Sequence, residues 1–263
     1  MVFIDNLALV EVLLLLGAAV LAYGGVLCWW AIRTNNPKAL RSVLKGMGVP
    51  VGGVGLVATI LALEGEMAWP FPATMAGYNI FFFDVLLLFG IVLLAYALSA
   101  YFGARMQYVG LLALVAGGVT AFYGWTGYTA NPAFTKEPFD TLLLYLGFGA
   151  AGVFAYPATV IMDYYLGTVD SLQTPFASSA WGGDSYRRKL GVRATQPIVP
   201  AVASSTPASP STEKSELAYH VPIWVQAVLL LFPVFMALAG IAALWYFGTT
   251  LPGHLGAGAA KAP

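Results

Sequence analysis

Long apolar runs, broken at intervals by short clusters of Pro, Gly and charged residues, set the pattern of this chain. A helix needs about 20 mainly apolar residues to cross a hydrocarbon core roughly 30 Å thick. Six stretches reach that length, at about 7–32, 45–65, 78–102, 106–128, 141–166 and 221–247. The first has no basic leader region and no small-residue cleavage site, and it is longer than a signal core, so it reads as a retained helix. The expected fold class is all-α, a polytopic bundle of six transmembrane helices. Residues 1–167 carry helices one to five, residues 168–220 a cytoplasmic loop and linker, and residues 221–263 the sixth helix and a short outer tail.

The basic residues orient this pattern. Of the 12 Lys and Arg, only Lys136 and Lys261 lie outside the loops after helices one, three and five. Lys and Arg concentrate on the inner side of a membrane, so both termini are expected outside. Trp29, Trp30 and Trp224 then fall near inner ends, and Trp69, Trp125 and Trp245 near outer ends, where amphipathic rings settle.

Composition agrees with lipid as the solvent. Hydrophobic residues make up 59% of the chain and charged ones 9%, too few to cover a water-facing globule. The net charge is zero and no basic block recurs, which leaves no electrostatic footprint for nucleic acid. The expected partners are the bilayer and other integral membrane subunits.

The loop 168–220 is the one sizeable polar segment. Its second half, PIVPAVASSTPASPSTEKSE, has a linker's composition. Its first half sets Trp181 and Tyr186 beside Arg187, Arg188 and Lys189, which suits either contact with a partner or anionic lipid or an ordinary positive-inside loop.

Within the spans, Gly48 and Gly52 have the spacing that lets helix backbones approach closely. Pro50 between them is expected in the first turns of helix two, where proline disturbs little. Pro157 and Pro233 lie deeper and predict kinks. Gly147 to Gly152 match GxGxxG, but inside an unbroken apolar span this reads as helix packing, not as a phosphate cradle.

Candidate chemistry is sparse. His220 and His254 are expected on opposite sides of the membrane and cannot share one haem or metal. Cys28, the single cysteine, reads as a small buried hydrophobe. The metalloprotease, phosphate-loop and serine-hydrolase motifs are missing, so no catalytic residue, cofactor or metal is expected. Five polar residues remain near the outer side: Glu11, Glu64, Glu66, Asn79 and Asp84. Together they make a candidate vestibule for a cation or protons. The alternative is that Asp84 accepts hydrogen bonds from a neighbouring helix or from the 66–78 turn and fixes the hairpin.

At WPFPATMAGYNIFFFDVLLLFGIVLL, residues 69 to 94, the chain resembles an uncharacterised family of small polytopic membrane proteins of archaea and actinobacteria, classed as a domain of unknown function. The resemblance rests on the turn Trp69-Pro70, the pair Tyr78-Asn79, and Asp84 shortly before a Leu-rich helix containing Phe89-Gly90. It is strongest over helices two and three. It implies a prokaryotic cytoplasmic membrane and brings no activity or ligand.

Two functions fit this sequence. One is a non-catalytic helical subunit of a larger membrane complex, for instance a respiratory or other redox assembly. The other is a small-solute or cation transporter with the outer carboxylates as its entrance and Pro157 and Pro233 as hinges.

Overall fold

The computed structural model describes residues 6–68, 80–130, 138–173 and 221–259. They form six long helices: α1 (Asn6–Arg33), α2 (Pro37–Ala68), α3 (Val85–Phe102), α4 (Met106–Ala130), α5 (Pro138–Gln173) and α6 (Ile223–Ala259). A π-helical turn, Ile80–Asp84, leads directly into α3. Each helix is long and apolar enough to cross a membrane, so the chain is a multi-pass membrane protein.

Two boundaries differ from expectation. Helix two starts at Pro37, not near residue 45, which places Pro50 well inside it rather than in its first turns. The cause is local. Asn36 accepts the Ala39 N–H at 2.9 Å through Oδ1, an N-cap, and Pro37 then occupies the first helical position, where its missing N–H is no loss. Lys38, Arg41 and Lys45 therefore ride on helix rather than on a loop. At the other end of the chain α6 runs to Ala259, so most of the expected outer tail is helical. The helices also run on through Pro157 and Pro233.

Short connections make neighbours antiparallel. Between α1 and α2, Asn35 takes the left-handed conformation, φ 51°, which Asn tolerates better than most residues. Between α3 and α4, Gly103 does the same at φ 67°, and the next amide, of Ala104, closes the helix end on the Ser99 carbonyl at 2.9 Å.

Seams of small residues join the helices. Between α2 and α3, a methyl group on Gly55 would stand 3.1 Å from the Gly90 carbonyl oxygen, and Gly52 faces Ala97. Between α4 and α5 the backbones are closer still: a methyl on Gly117 would come within 2.6 Å of the Gly149 carbonyl oxygen. Gly147 packs on Ala239 of α6 and Gly152 on α4. All three GxGxxG glycines therefore face other helices. Finally α1 meets α6, with Gly25 against Pro233 and Ala18 against Gly240.

Aromatic and aliphatic side chains fill the space near the π-helical turn. Phe83 and Leu86 pack with Val10, Leu13, Ala58 and Leu61. Phe81 and Phe82 pack on the other side with Leu144, Tyr145 and Tyr246.

Candidate functional site

The π-helical turn builds the polar centre of the bundle. Turns of this kind are rare and often mark functional positions, because they re-aim side chains and leave backbone groups for other partners. Here the buried Tyr145 of α5 donates its hydroxyl to the Phe81 carbonyl oxygen at 2.6 Å. Its ring also stacks on that of Phe81, with centroids 4.5 Å apart.

Asp84 closes the turn. It occupies the N-cap position of α3 but makes no capping hydrogen bond through its side chain. Instead its Oδ2 accepts the Tyr123 hydroxyl of α4 at 2.7 Å, a hydrogen bond from a neighbouring helix. The Glu66 carboxyl, near the end of α2, lies beside that of Asp84. Glu66 Oε1 is buried with no hydrogen-bond partner among the described residues. Two carboxyl groups in contact repel unless a proton or a cation sits between them.

The candidate carboxylates thus separate. Glu66 and Asp84 come together, with Tyr123 as a third member. Glu64 is exposed on the surface of α2. Glu11 is 3% exposed, among the core residues of α1. Asn79 lies outside the described residues, as do Trp181, Tyr186, Arg187, Arg188 and Lys189. Gly48 and Gly52 lie on the α2–α3 seam, where Gly48 faces Ala100.

Sequence reasoning passed over the tyrosines. Tyr123, Tyr145 and Tyr246 carry hydroxyls in apolar spans, and a buried hydroxyl needs a partner; that requirement was the available signal. It passed over Asp163 in the same way. This residue of α5 accepts the Gln107 N–H at 2.8 Å and the Met106 N–H at 3.2 Å, and so caps α4 from another helix. Helix α4 begins after Arg105, which is not an N-capping residue. Its free amides had to find an acceptor elsewhere.

Beside the acid pair, a cavity of about 150 Å³ lies between the helices. Its walls are almost wholly apolar, with Glu11 as the one charged residue among the described residues that line it.

The family model described as protein of unknown function (DUF981) matches residues 1–172. The chain therefore belongs to that family, and the match covers α1 to α5 while α6 lies beyond it. No curated protein and no solved structure matches the chain.

Proposed function

We propose that this member of the family is a non-catalytic integral membrane subunit of the prokaryotic cytoplasmic membrane, packed against a transmembrane helix of a partner protein. A respiratory or other redox complex is the expected setting.

The open face of α2 carries this reading. Gly46, Pro50, Gly53, Val57, Ile60, Glu64 and Met67 are all exposed, and they recur at alternating spacings of four and three. That spacing is the seam a second helix reads in a left-handed pair. An added methyl on Gly46 or Gly53 would meet nothing within 4 Å, whereas flanking Val49 is 82% exposed. Small residues framed by large apolar ones make a slot for close backbone approach, which favours helix association in lipid.

The test is isolation from native membranes in mild detergent, with mass spectrometry of what accompanies the chain. Reproducible stoichiometric partners are expected, and Gly53→Leu should release them without unfolding the bundle, since its side chain meets open space. A chain recovered alone would sink the subunit reading.

One observation favours the transporter instead. Glu66 Oε1, without a partner among the described residues and beside Asp84, is a place for a proton or cation. The apolar cavity next to it offers such an ion no continuing polar path. Flux into proteoliposomes that depends on Asp84, and is lost in Asp84→Asn, would reverse this order of preference.

A further inference from the structure

The cavity has properties that the subunit reading does not use. Its lining residues on α1 run from Val10 to Cys28, about 27 Å along the axis at 1.5 Å per residue. A volume of about 150 Å³ spread over such a length is a narrow thread, not a globular pocket. It is also longer than the roughly 15 Å that the tails of one leaflet span.

The wall chemistry is specific. Met47, Met106, Met162 and Met236, from α2, α4, α5 and α6, all face this space, and they are four of the seven methionines in the chain. Methionine is flexible and polarisable, and it recurs where a protein must fit apolar ligands of varying shape. The α4–α5 seam, at Gly117 and Gly152, forms another part of the wall. Of the polar groups that line the space, Tyr96, Thr120 and Thr159 donate their hydroxyls to backbone carbonyls, while the acid Glu11, with Tyr145 and Tyr246, lies at the carboxylate end. Among the described residues no Lys, Arg or His lines it, so an anionic head would find no counter-charge from them.

We infer that the bundle binds one extended hydrocarbon chain, fatty or isoprenoid, along its axis, and that a free ligand of this kind carries a neutral head at the Glu11 end. Such a chain has two sources: a tail entering from a bilayer lipid, or a free single-chain compound.

Photolabelling of the full chain in lipid nanodiscs tests this. The first probe is hexadecanol with a diazirine in mid-chain; the second is phosphatidylcholine with a diazirine in one acyl tail. With the alcohol probe, peptides holding Met106, Met162 and Met236 should be labelled on their cavity-facing residues. Excess hexadecanol should reduce that labelling severalfold, and palmitate should reduce it less. Interior labelling by the phosphatidylcholine probe as well would identify the bilayer as a source; its confinement to the outer surface would identify a free compound. Ala113→Phe and Met236→Trp, which fill the space from different helices, should each suppress interior labelling while eluting as folded protein. Even if both variants fail to fold, the competition experiment on the unaltered chain decides. Labelling confined to lipid-facing positions such as Val115, Phe122 and Ile241, unchanged by excess hexadecanol, would overturn the proposal. Competition by palmitate equal to or better than that of hexadecanol would overturn the neutral head.

Discussion

The two ends of the bundle use half-buried acids in opposite ways. At the end holding the α3–α4 turn, Asp163 is satisfied by two backbone amides of α4, and nearby Tyr165 donates to Asn35 in the α1–α2 turn at 2.8 Å. The first interaction finishes a helix end, and the second holds the α1–α2 turn through a side chain. At the other end, Asp84 meets a tyrosine hydroxyl and a second carboxyl, and Glu66 keeps an oxygen without a partner among the described residues. An acid that serves the backbone is explained once the helix is capped. An acid that leans on another acid is not, and this contrast leaves the Asp84 end as the part of the bundle that helix capping does not account for.

Three experiments sharpen or break that contrast. The largest effect is expected from Asp163→Ala, which strips the acceptor from two amides at the start of α4; the loss should be about 2–3 kcal/mol, read from unfolding in mixed detergent micelles. An Asp163→Asn control should recover part of it, since the amide oxygen still accepts. Next, Tyr145→Phe leaves the buried Phe81 carbonyl without its donor and should cost about 1–2 kcal/mol in the same assay. Smallest, and most telling, is the double-mutant cycle of Glu66→Gln with Asp84→Asn. The two changes should fail to add by about 0.5–1 kcal/mol. Strict additivity would mean the carboxyls do not interact, and the two ends would then be alike.

Much of the fold was legible in the chain because span length is set by the bilayer and the runs of apolar residues are long. The ends of helices were less so. The start of helix two is hidden in the sequence because Lys38, Arg41 and Lys45 have the composition of a loop, yet nothing stops a capped helix from continuing into water with charged residues on it. The site was legible only in part. Asp84 and Glu66 stood out as charges in apolar company, and the structure joins them. Glu11 and Glu64 stood out for the same reason, but burial and exposure separate them, and no linear pattern encodes which way each points. Tyr123 went unnoticed because a tyrosine in a membrane span reads as an interfacial ring until its hydroxyl is asked for a partner.

The pairing of α1 with α6 has a consequence for how the molecule is made. Helices α2 with α3, and α4 with α5, are hairpins whose partners leave the ribosome in immediate succession. Helix α1 has one of its main neighbours in α6, which is synthesised well after it, with Gly25 on Pro233 and Ala18 on Gly240. That side of α1 must wait in the membrane until translation has passed the long loop. During that interval the axial space is open on the flank that Phe232 and Met236 will cover. Biogenesis itself therefore supplies a moment when a hydrocarbon chain can be enclosed without the finished bundle having to open.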